Sequence, residues 1–348
     1  MADENDKRTI YMVDMHEPLM FLHNLDTTIK EPFASNPAVL DAVEKNHKKL
    51  QIAMTKLYPG NLVLSLSSGI MYHRLVDRIT ALNDVPREPL VPRRLGKNMC
   101  VPFGKILRGK VVPNTVTKTL HTDKVYEPDL NSFTIEPFPY YSPLKSQIET
   151  IKSFDRPVIL VDDLVHTANR LQVLVPQLRE DGIPIKKVVV GVLSGYGRDL
   201  MQCLKVPVES IYSMPNLRQW FVESTLYPFI GGDTVRREEM KVAGLQPSIN
   251  MILPYATPRL SGCSREALVE FSACCIENSR DLFQVLEAEY RKMYAKNLTL
   301  SRLSEAVILP LCPDKGSCME YDENLAASVY LENDLETLWR MKEFLIKG

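Results

Sequence analysis

The sequence predicts an α/β fold built on a parallel sheet. Three observations carry this. PVILVDDL (157–164) and KKVVVGVLSG (186–195) are nearly continuous apolar runs, and VESIYSM (208–214) is a third strand candidate; strands buried on both faces read this way. Helical patterns separate them, HTANRLQVLVPQLREDG (166–182) and RDLMQCLK (198–205). Strands alternating with helices indicate βαβ units. The composition is globular, with 348 residues, 45% hydrophobic and 24% charged, enough for two domains or one large domain with additions.

The flanking segments extend this core. Asn36-Pro37 opens a helix over 38–58, where Val39, Val43, Leu50, Ala53, Met54 and Leu57 recur at roughly helical spacing. Pro59-Gly60 stops it. NLVLSLSSG (61–69) reads as a strand ending in small residues, and MYHRLVDRITAL (71–82) as a helix with Leu75, Ile79 and Leu82 on one face. Residues 84–98 are rich in Pro and Arg and read as irregular. Residues 100–144 are too long for a connector, and their Thr and Val content predicts a β-rich excursion. From residue 236 the pattern changes. Residues 264–296 predict one long amphipathic helix with Ser264 as N-cap, and 333–346 predict another. The expected organisation is an N-terminal helical segment (1–58), an α/β core (59–235) and a mainly helical C-terminal extension (236–348).

Charge and cysteine content narrow the function. Lys and Arg total 42 against 43 Asp and Glu, so no basic excess points to nucleic-acid binding. Seven Cys, an odd number without a CxxC pair, fit a reducing cytoplasm and not a Cys-based zinc site. The first residues carry charges where a signal peptide needs an apolar stretch, and no apolar run reaches 18 residues, so neither secretion nor a membrane span is expected. His16, His23 and His47 lack metal-ligand spacing and read as surface or structural residues.

The chemistry concentrates where a strand ends in two acids. Asp162 and Asp163 stand at the carboxyl end of a core strand, the place where open α/β sheets bind ligands. Adjacent carboxylates repel unless they face solvent, a cation or hydroxyl donors. A loop and a helix start follow, where backbone N–H groups favour an anion such as phosphate. Acids for hydroxyls followed by a loop for phosphate describe a ribose-phosphate site. The plainer reading is acids that solvate a strand end and cap a helix.

VILVDDLVHTANR resembles the phosphoribosyl-pyrophosphate (PRPP) motif of type I phosphoribosyltransferases, nearest to the adenine enzymes. The resemblance implies a parallel-sheet type I core with a β-rich loop or hood insertion. Asp162 and Asp163 would hold the ribose hydroxyls, and would meet Mg²⁺ only indirectly, through those hydroxyls or water. His166, Thr167, Ala168, Asn169 and Arg170 would wrap the 5′-phosphate. The sequence departs from the motif at His166, at Ala168 where Gly is usual, and at Arg170. KILRGKVVPNTVT (105–117) looks like the family's flexible catalytic loop, which makes Lys105, Arg108 and Lys110 candidates to meet the leaving pyrophosphate; otherwise they form a solvated loop. Ser67, Ser68 and Gly69 stand at the pyrophosphate-loop position, without the Arg that adenine enzymes carry there. Trp220 and Phe221, in SMPNLRQWFVESTLYPF, occupy the base-binding position, unless they are core.

The implied reaction transfers phosphoribose from PRPP, with Mg²⁺, to a nucleobase-like acceptor. The resemblance also implies a homodimer. A phosphoribosyltransferase-like core with a helical extension is similar to a region fused to cytidylyltransferase-like domains in some bacterial proteins, so a nucleotidyltransferase-like domain is an expected partner, fused or associated. The departures from the motif keep two other expectations open: a PRPP- or nucleotide-binding regulatory module without turnover, and a structural or oligomerisation module.

Overall fold

The computed structural model describes residues 14–347 apart from 93, 140, 238–241, 243, 259, 261 and 316–319; Cys318 lies outside the described residues. The strands are β1 (Asp14–His23), β2 (Asn61–Ser67), β3 (Met99–Pro102), β4 (Val116–Thr117), β5 (Thr122–Tyr126), β6 (Phe133–Pro137), β7 (Val158–Val165), β8 (Ile185–Ser194), β9 (Val208–Met214), β10 (Gln219–Val222), β11 (Asp233–Val235), β12 (Gln246–Ile249) and β13 (Leu311–Pro313). The helices are α1 (Pro37–Leu57), α2 (Ser68–Leu82), α3 (Leu144–Lys152), α4 (Asn169–Glu180), α5 (Gly195–Cys203), α6 (Glu223–Leu226), α7 (Arg265–Tyr294) and α8 (Ala327–Lys347).

The fold is mixed α/β with parallel sheets. Five parallel strands run in the order β4-β3-β7-β8-β9. Alternation along β7 and β8 divides their side chains between two cores. Val158, Leu160, Val188 and Val190 pack on one face with Ile148 and Ile151 of α3 and Leu171, Leu174 and Leu178 of α4. Ile159, Val161 and Val189 pack on the other with Met71, Leu75 and Ile79 of α2. Each such side chain contributes about 1.5–3 kcal/mol on burial, so the apolar runs are fixed in place from both sides.

A second parallel sheet, β10-β1-β2, lies beyond α2. Met20 and Leu22 face α2, while Leu19 and Phe21 join the largest core with α1, α7 and α8. The N-terminal segment is thus not only helical. Four consecutive apolar residues, Leu19 to Leu22, are all at most 4% exposed. Such a run has no period-2 signal, and periodicity cannot separate it from buried helix.

The excursion contributes to two sheets. Its first residues form β3, which joins the core beside β7. β5 and β6 pair antiparallel and enter a mixed sheet, β13-β12-β11-β5-β6. The C-terminal region therefore supplies strands as well as helices, and the boundary after residue 235 would separate the antiparallel partners β11 and β12. Helix starts follow local chemistry. Asn36 accepts the Ala38 and Val39 N–H groups ahead of Pro37, and Ser264 accepts the Ala267 N–H.

Candidate functional site

β7 carries its two acids to the carboxyl end of the parallel sheet, and successive residues on a strand point to opposite faces. Asp163 turns to the loop after β3. Its Oδ2 accepts the Lys105 N–H at 2.7 Å and its Oδ1 the Ile106 N–H at 3.0 Å. Only glycine fits at 104, because a Cβ there would stand 2.5 Å from Asp163 Oδ1 and 2.8 Å from Asp162 Oδ1. Asp162 Oδ1 accepts the Asp163 N–H at 2.8 Å and lies 3.9 Å from Arg170 Nη1. Burial pushes the Asp162 carboxyl up to about 7; Arg170 opposes the shift and Asp163 adds to it.

The loop after β7 turns through Ala168, which sits at φ 51° and ψ 22°, left-handed, and starts α4. This is a conformation that favours glycine, adopted here with a methyl attached. Thr167 is locked locally. Its Oγ1 accepts Asn169 Nδ2 at 2.9 Å and its carbonyl accepts Gln172 Nε2 at 2.9 Å. His166 Nδ1 lies 2.8 Å from Ser194 Oγ, which already accepts the Gly197 N–H. Burial lowers the His166 pKa.

Lys105 and Arg108 join the same network. The Lys105 ammonium lies in the field of Asp123 and Asp233, with Arg108 and Arg170 opposing, and burial lowers its pKa. Arg108 donates to the Thr122 carbonyl at 3.3 Å and covers the Phe138 ring at 5.4 Å. Burial, then Arg170, draws its pKa down. Burial raises Asp233, against the attraction of Lys105 and Lys124. Asp123 Oδ2 accepts the Thr234 hydroxyl at 2.6 Å. Sequence reading missed Asp123 and Asp233. They stand on β5 and β11 of the mixed sheet, and a single Asp on a short strand carries no local signal.

The remaining candidates are spread around this network. Lys110 Nζ lies 4.4 Å over the Tyr72 ring of α2. Ser67 ends β2, and Ser68 donates to Asp26 Oδ1 at 2.6 Å, fully buried. Gly69 has Asp26 and Ser67 side-chain oxygens 3.6 Å from its Cβ direction. The first turn of α2 approaches the acid strand, since Met71 and the Asp163 carbonyl crowd Gly191. Trp220 and Phe221 diverge. Trp220 packs in the α2 core with its ring 5.0 Å from His166. Phe221 faces the opposite core, edge-on to Phe271 at 5.8 Å.

The acid pair is a poor direct seat for Mg²⁺. That ion wants oxygen ligands in octahedral geometry and keeps its waters, whereas both Asp163 oxygens hold amides and Asp162 faces a guanidinium. Chemically, the arrangement offers carboxylate to hydroxyls, cations to phosphate, and a helix start to an anion.

No family model matches the chain, and no curated protein matches it. Among solved structures, a purine phosphoribosyltransferase from Pyrococcus horikoshii is similar at a TM-score of 0.27 and 12% identity, over 44% of this chain and 86% of that one. A likeness that slight has no bearing on the site. No helix among the described residues is long and apolar enough to cross a membrane.

Proposed function

We propose that the chain is a phosphoribosyltransferase-like protein that binds PRPP at the carboxyl end of its five-stranded parallel sheet. In this reading it transfers the phosphoribosyl group to a nitrogenous base with release of pyrophosphate. The observation that supports it is the convergence of Arg108 and Arg170 on the acid pair, next to the start of α4, with Lys105 beside Asp123 and Asp233 at its edge. A ligand that is both polyhydroxylated and phosphorylated answers both signs of charge.

The roles follow from position. Asp162 accepts ribose hydroxyls. The N–H groups at the start of α4 and the Arg170 guanidinium bind the 5′-phosphate. Lys105 and Arg108 meet the charge that grows on departing pyrophosphate. Asp163 positions Lys105 by holding its main chain. Trp220, beside His166, offers a face to the base. Mg²⁺ would enter with the diphosphate of the substrate.

A second reading, PRPP binding without turnover as a regulatory module, is favoured by one observation: Asp163 is committed to backbone amides. Calorimetry with PRPP and Mg²⁺ on the wild type and Arg170→Ala tests binding. Unchanged affinity in Arg170→Ala would remove the site assignment. Pyrophosphate release across a panel of bases then tests transfer; binding without release for any base leaves the regulatory reading.

A further inference from the structure

Three residues that the sequence keeps far apart meet at the carboxyl end of the second parallel sheet. His23 ends β1, Glu223 follows β10 directly, and His47 reaches in from α1. Their ligating atoms all lie within 4.8 Å of one another. His23 Nδ1 is 3.3 Å and His47 Nε2 is 2.8 Å from Glu223 Oε2. Donors bound about 2.0–2.1 Å from a tetrahedral zinc stand about 3.3 Å apart, so the His23 separation already matches atoms sharing one ion and His47 would move outward slightly to do so.

The surroundings fix His23 and Glu223 by their far sides. His23 Nε2 lies 2.5 Å from Ser65 Oγ, which also accepts Gln51 Nε2 at 2.9 Å. That leaves Nδ1 toward the carboxylate. Glu223 Oε1 accepts the Tyr227 hydroxyl at 3.1 Å, and Tyr227 in turn accepts Asn278 Nδ2 at 3.0 Å. Oε2 is left for the histidines. Metal-binding histidines are held in this manner through the second ring nitrogen. His47 Nε2 is buried and makes no hydrogen bond, although it stands 2.8 Å from that oxygen; the ring is not aligned to donate. Glu223 is fully buried, and a buried carboxylate faced by two imidazole nitrogens calls for a cation among them.

We propose that His23, His47 and Glu223 form a binding site for one first-row divalent transition-metal ion of the zinc class. Two imidazoles and one carboxylate suit zinc better than magnesium or calcium, which take oxygen donors. Three protein ligands leave coordination positions for water. The His23 and His47 side chains are 12% and 22% exposed, so solvent reaches the site. Nothing in this depends on the phosphoribosyl reading. The competing arrangement is a metal-free pair of protonated histidines on Glu223.

The test uses the full chain without an affinity tag, stripped with a chelator, dialysed, and titrated with Zn²⁺ by calorimetry and with Co²⁺ by visible absorption. One ion per chain is expected. His47→Gln and Glu223→Gln should each weaken binding by at least ~10-fold, and Ser65→Ala by about 10-fold through loss of the outer hydrogen bond. The cobalt spectrum should lack a thiolate charge-transfer band. A chain that binds no ion, equal affinity in folded His47→Gln, or a thiolate band that moves the ion to cysteine would each overturn the proposal. If the His47 and Glu223 variants fail to fold, Ser65→Ala decides: unchanged affinity overturns the site.

Discussion

Asp163 holds Lys105 by its main chain and leaves the Lys105 ammonium to other partners. The carboxylate accepts the Lys105 and Ile106 N–H groups together, so the loop after β3 and the end of β7 form one unit. An amide in place of the carboxylate keeps the shape but turns a donor toward a donor. Charge-assisted hydrogen bonds contribute about 1.5–3 kcal/mol. Asp163→Asn should therefore lower unfolding free energy by about 2 kcal/mol in urea, with faster amide exchange at 105 and 106. Unchanged exchange there would show that the contact does not hold the loop.

Gly104 and Gly69 give opposite expectations from one substitution. A Cβ at 104 meets Asp163 Oδ1 at 2.5 Å and Asp163 N at 2.7 Å, neither free to retreat. Overpacking of this kind costs about 1–3 kcal/mol. At 69 the nearest atoms are 3.6 Å away and the residue lies in α2, where Ala is favoured over Gly by about 0.5–1 kcal/mol. Thermal unfolding should show Gly104→Ala falling and Gly69→Ala rising. Equal shifts would mean that the close approach at 104 is relieved by movement.

Ala168 tests the left-handed turn that starts α4. Its left-handed backbone carries strain of about 1–2 kcal/mol that Gly escapes. Ala168 is also only 7% exposed, and losing a buried methyl costs about 0.8 kcal/mol. The terms nearly cancel, so Ala168→Gly should stay within about 1 kcal/mol of wild type in denaturant unfolding. Ala168→Val, β-branched at positive φ, should lose more than about 2 kcal/mol. A large loss in Ala168→Gly would mean that methyl packing, not backbone shape, governs the position.

The core strands and the long helices were legible because their cause is local. Val158 to Val161 and Val188 to Val190 are apolar in succession, and Ser264 stands directly before its helix. β1 was not legible, since four buried residues after Pro18 carry no period. The acid pair and the Lys105 loop were readable as a motif, but their relation was not: Asp163 reaches residues 57 and 58 positions away. Asp123 and Asp233 reach the site by strand pairing in the mixed sheet. Glu223 meets His23 through the pairing of β10 with β1, and His47 joins them through the packing of α1 on the second sheet. Tertiary placement made these groups neighbours, and no spacing along the chain encodes it.

Asp162 gives the fold a pH dependence whose sign can be worked out. Its carboxyl is raised from 3.8 to about 7, chiefly by burial. A group whose folded pKa lies above its unfolded value stabilises fully below the unfolded value and loses that contribution as pH rises through the folded one. The contribution of wild-type Asp162 therefore fades between about pH 4 and pH 7. Asp162→Asn carries no charge at either end. At pH 4 it should resemble the protonated wild type, while at pH 8 it avoids a buried carboxylate that Arg170, 3.9 Å away, only partly offsets. The difference in unfolding free energy, variant minus wild type, should move in favour of the variant by an amount on the order of 1–4 kcal/mol across that range. Urea denaturation of both proteins at pH 4 and pH 8 measures it. A difference that is flat, or that moves toward the wild type, would mean that Arg170 outweighs burial and that Asp162 is ionised throughout.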